Sequence, residues 1–331
     1  RAIYIWITHN ISYDVAQLDD RNKRRFKSNQ ESINYTLRSK RAICSGYSAL
    51  FHEMATHAGV EVFTISGYKR YPDGYASNLS HAWNGVHLKS GEWRLLDATW
   101  DAGHTTFDAN NKKKFVRHFD DEYFLAEPKV FIRDHVPFDP IWQFLMTPVS
   151  HESLKENDFS IFDFEGSYHF SDSITVSTLL PEKDRFLEEY RRISLFKGDV
   201  KVLNEHLDYL IKTIEVFRKN ESVTHYNLAV KHLNQATSGF YVYRTYKSRK
   251  FRKPKVSKSK IIHILAEAYH DLIAAREAIE KVHTDDREFG RSVENLKDKI
   301  TTNLDKVILE IDFVVDKFKL QDSKQQLLSD Y

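Results

Sequence analysis

The sequence predicts an α+β fold in which a helix carrying the only cysteine packs on an antiparallel sheet, followed by a mainly α-helical bundle. Three observations carry that prediction. Apolar residues recur at helical spacing directly after Cys44, and two aliphatic and aromatic runs flank a glycine turn between Ser80 and Asp101. From Glu182 onward, helical stripes fill the chain. Composition breaks at the same place: all five Trp and six of the seven Pro of the 331 residues lie in the first 181. At that length two domains are expected. The predicted division is a first domain over 1–150, a short β connection over 151–181 and a helical bundle over 182–331.

Cys44 follows Arg41-Ala42-Ile43 and precedes Ser45-Gly46-Tyr47. Tyr47, Leu50, Phe51, Met54, Ala55 and Ala58 then mark one helix face, with Gly59 as a natural C-cap. Cys44 is thereby placed at a helix N-terminus, where unpaired N–H groups and the helix dipole stabilise a thiolate. Alone, it reads as a small core residue about twice as readily as a nucleophile, because free cysteine is among the most buried residue types.

The next element supplies its possible partners. Ser80–Leu88 and Glu92–Asp101 flank Lys89-Ser90-Gly91 and read as a β-hairpin. If Leu88 pairs with Glu92, His81 lies opposite Thr99 and diagonal to Asp97 on the same face, at roughly 7–8 Å between Cα atoms. A slip of one residue would separate them. A thiol that loses its proton to an imidazole, and an imidazole held by a carboxylate, form a nucleophilic set. Singly, His81 reads equally well as a satisfied core histidine and Asp97 as a strand-end residue. The three together point to chemistry.

The Cys–Gly–Tyr segment at a helix start, the His-Ala-Trp-Asn run (81–84) and the Asp-Ala-Thr-Trp-Asp run (97–101) resemble the signature blocks of the transglutaminase-like superfamily. Two further blocks support this. Ile3–Asp14 is similar to the helix and Tyr-Asp turn that precede the cysteine block. Tyr123-Phe124-Leu125, Pro128, Phe131-Ile132, His135, Pro137, Asp139-Pro140 and Trp142-Gln143 resemble the tail of a kyphoscoliosis-peptidase-like branch found in bacteria. The resemblance covers roughly residues 1–145. It implies a papain-like core, with Cys44 as nucleophile, His81 as general base and acid, and Asp97 as orienting carboxylate. The implied reaction is acyl transfer on a protein or peptide through a Cys44 thioester. Hydrolysis, as by a peptidase or amidase, is favoured over cross-linking to a lysine amine. With every reacting group before residue 145, a chain ending near Pro181 is expected to keep a reactive Cys44.

The remaining signals are weaker. His52-Glu53-Met54-Ala55-Thr56-His57 spaces its histidines five apart, about 140° around a helix at ~3.6 residues per turn, so it is not a zinc-protease motif. One cysteine makes neither a thiolate zinc cluster nor an intrachain disulfide. The glycines form no phosphate loop, and no cofactor or metal is expected.

After Glu182, stripes are predicted at Leu203–Phe217, Tyr226–Phe240, Ile261–Val282 and Val293–Phe318. Phe159–Phe164 and Ser173–Ser177 read as short strands in the connection. A net charge of +2 gives no reason to expect nucleic acid. Lys247–Lys260 holds eight basic residues and no acidic one; it reads first as a solvated connection and second as a docking site for an anionic surface.

No stretch approaches the ~20 apolar residues of a membrane span. The chain opens inside the first block of the resemblance, which suggests a trimmed sequence, and its single cysteine favours an extracytoplasmic setting. Two other functional classes compete with an enzyme. One is a non-catalytic interaction scaffold docking through the papain-like domain and the bundle; the other is a surface or nucleic-acid binder acting through the basic run.

Overall fold

The computed structural model of the protein describes residues 1–18, 24–163, 166–196, 198–252 and 256–318. These divide into two compact units, Arg1–Lys212 and Thr213–Tyr331. The first opens with α1 (Ala2–Asn10), β1 (Ser12–Tyr13), α2 (Asn29–Ser39), β2 (Arg41–Ala42) and α3 (Cys44–His57). β1 and β2 pair in parallel, which brings the end of α1 beside the start of α3. As the sequence predicted, α3 begins at Cys44; it is capped by Ala58, and Gly59 takes the left-handed conformation (φ +76°) that ends the helix cheaply.

The sheet that carries the site is antiparallel, in the order β5-β4-β3-β8, from β3 (Glu61–Arg70), β4 (Ala76–His87), β5 (Trp93–Leu96) and β8 (His135–Pro137). The predicted hairpin turn is present. Leu88 N–H donates to Glu92 O at 2.8 Å, and Gly85 pairs with Leu95 and Asn84 with Leu96, the register that sets His81 diagonal to Asp97. One core packs α1 and α3 on the sheet through Tyr4, Ile7, Tyr47, Leu50, Val86 and Leu96. A second gathers Ile65, Trp83, Leu95, Phe131 and Phe144. A small separate hairpin, β6 (Gly103–Phe107) with β7 (Lys113–Arg117), follows the Asp97 segment, and α4 (Pro128–Phe131) leads into β8.

Three expectations are corrected. Among the described residues of 151–181 there is no strand. They form α5 (His151–Lys155), a 3₁₀ turn at Ser160–Asp163 and α6 (Phe170–Leu179), while Phe164 lies outside the described residues. In α6, Ile174 and Ser177 are buried and Val176 is exposed, a three-residue step that a strand burying alternate residues would not show. The break expected near residue 181 falls inside the first unit. There α7 (Glu182–Leu195) and the start of α8 (Lys201–Ser248) close a core in which Ile193, Leu203 and Leu210 pack with Tyr68, Ile132 and Val136. Asp139 also receives a bidentate pair from Arg192 of α7, at 2.7 Å and 3.0 Å. Finally, the first two predicted stripes of the bundle belong to one 48-residue helix, α8, because no glycine or proline interrupts residues 217–226.

The second unit packs the later part of α8 with α9 (Lys258–Glu280) and α10 (Arg287–Phe318) around Leu265, Leu272, Ile279, Leu296, Ile300 and Val307. Bonds Ser222–His283 and His232–Asp271 make α8 and α9 antiparallel, while Tyr226–Phe289 and Tyr243–Glu310 make α8 and α10 parallel. Of the basic run, residues 253–255 lie outside the described residues. Within the described part, Lys247 pairs with Glu310 and Lys258 sits over the Phe318 ring. No described helix is long and apolar enough to cross a membrane.

Candidate active site

Three separate segments meet at the start of α3. Cys44, the first residue of α3, is half-buried and faces His81 of β4, while the Ala82 N–H donates to its sulfur. Asn84 Nδ2 donates to Ser48 O at 3.0 Å and ties β4 to α3, fixing that approach. The His81 side chain is only 11% exposed, and its Nε2–H donates to Asp97 Oδ2 at 2.7 Å. Asp97 lies just past β5, 1% exposed, and its Oδ1 accepts the Thr99 N–H at 2.7 Å. The structure therefore brings together all three residues that the sequence singled out.

The electrostatics form one coupled set. Burial lowers the affinity of His81 for a proton, but the neighbouring Asp97 and Cys44 more than reverse this and raise its pKa to about 10. Burial would push the Cys44 thiol up; the charge of His81 and the hydrogen bonds from His81 and Ala82 bring it below the ordinary thiol value. Burial likewise opposes ionisation of Asp97, yet the His81 charge and the bonds from His135 and His81 hold its carboxyl well below the usual range.

His135 was missing from the predicted site. It is fully buried on β8, its Nε2–H donates to Asp97 Oδ2 at 3.1 Å, and its Nδ1–H donates to Asp134 Oδ1 at 2.6 Å. The tail block that resembled the family contained this histidine, but nothing local in sequence connects it to Asp97, 38 residues away. The donor atoms of His81, Asp97 and His135 lie within 4.8 Å of one another, a spacing that a cation site would also show. Direct hydrogen bonds join these atoms and Thr99 occupies the other Asp97 oxygen, so the cluster is explained as a hydrogen-bonded one. His52 and His57 do not converge: His57 bonds back to Glu53 O and His52 faces Thr64.

Asp101, the next carboxylate along, has a different task. It accepts from the Tyr4 hydroxyl and the Tyr123 N–H, and burial raises its pKa to about 7. It fastens α1 to the segment after Asp97. A cleft of about 580 Å³ opens beside the cluster. Its lining includes His81, Thr99, Trp100 and Tyr123, together with His104, Lys113 and Phe115 of the small hairpin.

Residues 1–98, which hold Cys44, His81 and Asp97, match the transglutaminase-like superfamily. This segment belongs to that superfamily. The chain is also similar to "Kyphoscoliosis peptidase" of Homo sapiens, 36% identical over 169 residues, which are 50% of this chain and 24% of that protein. A "Lim and transglutaminase domain protein" of Caenorhabditis elegans is 27% identical over 197 residues, 55% of this chain and 26% of the relative. "Hillarin" of Drosophila melanogaster is 30% identical over 141 residues, 38% and 17% of the two chains. The matches thus span about a quarter or less of each relative. All three relatives are animal proteins and do not bear on the expected bacterial branch. They align with about half of this chain or less.

Proposed function

We propose that the protein catalyses cysteine-dependent acyl transfer on protein or peptide substrates. Cys44 is the nucleophile, His81 takes and returns its proton, and Asp97 fixes the imidazole tautomer and balances its charge. The observation that carries this reading is the 2.7 Å bond from His81 Nε2 to a fully buried Asp97, with Cys44 a close neighbour of the same imidazole. That arrangement leaves His81 Nδ1 for the thiol proton. The thiolate adds to a carboxamide carbon, and the developing oxyanion is met by N–H groups at the start of α3. Protonation of the departing amine by His81 leaves a thioester, which water or an amine then cleaves. The word "peptidase" in the name of the human relative favours water as acceptor.

Alkylation of Cys44 by iodoacetamide across pH tests the reading. The expected profile shows a thiolate well below the ~8.5 of a free cysteine, and His81→Ala should return it to that value. A wild-type thiol titrating at or above the free value would leave the interaction-scaffold reading in its place.

A further inference from the structure

We propose that His135 is a positioning residue for this site: it holds the Asp97 carboxylate for His81 and is itself held by Asp134. The inference rests on the triad reading above and adds a fourth side chain to it. Two imidazoles address one oxygen, since His81 Nε2–H and His135 Nε2–H both donate to Asp97 Oδ2, at 2.7 Å and 3.1 Å. Carboxylates accept and do not donate, so the 2.6 Å contact with Asp134 uses the second N–H of the same ring. Asp134 in turn accepts the Tyr123 hydroxyl at 2.7 Å. The hydrogen bonds therefore run without a gap from Tyr123 through Asp134, His135 and Asp97 to His81.

The fold keeps this ring in place. β8 pairs with β3, setting His135 opposite Lys69 and Pro137 opposite Gly67, and Gly67 is also the partner of His81 on the other side of β3. A side chain at Gly67 would strike Val136 O and the Trp83 ring, so a glycine lets β8 lie this close. The result is a separation of 5.5 Å between the His81 and His135 rings. Aromatic rings enclose His135: Phe131 at 4.1 Å, Trp100 at 4.2 Å and Tyr123 at 5.0 Å. The titratable groups facing it are Asp97, Asp134, His81 and Tyr123, with Lys69 beside it on β3.

The chemical reason for a second donor lies in the reaction cycle. His81 is charged while Cys44 is a thiolate and neutral once it has given its proton to the leaving amine. At that stage His81 no longer supplies a counter-charge to a carboxylate that is 1% exposed. A charge-assisted bond from His135 keeps Asp97 ionised and aimed through both halves of the cycle. Without it, Asp97 takes up a proton more readily, His81 loses its partner, and the Cys44 thiolate loses the cation beside it.

The test uses the full chain and three variants. The Gln side-chain nitrogen of His135→Gln reaches the position of Nε2 and can still donate to Asp97. In His135→Asn the shorter amide reaches only toward Asp134, and His135→Phe fills the space with no donor. The readout is the pH profile of Cys44 alkylation by iodoacetamide, with circular dichroism to establish folding. His135→Asn and His135→Phe are expected to move the acid limb up by about one pH unit, the worth of one charge-assisted hydrogen bond. His135→Gln should leave it in place. If Phe does not fold in that space, the Asn and Gln pair decides. Folded Asn and Gln variants with the same profile, whether shifted or not, overturn the role. A wild-type Cys44 that titrates as a free thiol fails earlier, removing the triad reading on which the role depends. A depressed wild-type limb with no shift in His135→Asn removes the His135 role alone.

Discussion

Replacing Asp97 by Asn tests the site most directly, because the amide is nearly isosteric but cannot satisfy the three donors that the carboxylate accepts. Oδ1 receives the Thr99 N–H and Oδ2 receives both His81 and His135. If the amide oxygen stays toward Thr99, the NH₂ faces two imidazole N–H groups. If it flips, the NH₂ faces the Thr99 N–H. In the first case His81 can relieve the clash by moving its proton to Nδ1, which removes the acceptor that Cys44 needs. Wrong-tautomer imidazoles of this kind lower turnover by roughly 10²–10⁴-fold, about 3–5 kcal/mol of barrier. The lost charge also withdraws the main support for the raised His81 pKa of about 10. The acid limb of Cys44 alkylation should therefore move toward the ~8.5 of a free thiol. Folding stability should fall by about 1–3 kcal/mol from the unsatisfied buried donors. Turnover of a peptide-amide substrate and the alkylation profile, measured beside urea unfolding, give all three quantities. A folded Asp97→Asn protein with wild-type turnover and profile would refute the reasoning, and Asp101 would be the next carboxylate to examine.

Gly67→Ala should destabilise the first unit by roughly 1–3 kcal/mol in urea unfolding and slow Cys44 alkylation, because the new methyl strikes Val136 O and the Trp83 ring. His151 is buried against Tyr68 and Phe138 O, and burial lowers its pKa from 6.5 to about 4. The unfolded chain then binds a proton that the folded chain refuses, so this contribution is full above pH 6.5 and is lost as pH falls toward 4, up to about 3 kcal/mol. Urea titrations should show His151→Phe with a flatter stability profile over that window, and an unchanged slope would contradict the assignment. A chain ending at Pro181 lacks Arg192, Ile193, Leu203 and Leu210 and is expected to aggregate, whereas one ending at Lys212 should fold and keep a reactive Cys44. Circular dichroism and thiol labelling distinguish these outcomes, and a soluble, folded 1–181 chain would contradict the observed boundary.

The site was legible where chemistry and local periodicity coincide. The helix start at Cys44 follows from an apolar stripe. The His81–Asp97 approach follows from one hairpin turn, because a two-residue repeat and a fixed loop length set which side chains share a face. Both need only neighbours in sequence. The α9 and α10 stripes were legible for the same reason. The alternating Ser173–Ser177 run misled because local alternation is compatible with a strand, whereas the packing of Ile174 against a distant core selects a helix. The boundary after residue 181 misled because composition does not reveal which core a helix closes, and Ile193 and Leu203 close that of the first unit. His135 needed the tertiary fold most of all. Its bond to Asp97 crosses from β8 to the segment after β5, elements separated in the sheet by β3 and β4, and only the assembled sheet brings them within hydrogen-bonding distance. The sequence by itself singled out Cys44, His81 and Asp97, the residues proposed as nucleophile, base and carboxylate, and the order of their elements. Tertiary packing decided where the first unit ends and what else holds the carboxylate, because long-range contacts are set by buried surface and not by spacing along the chain.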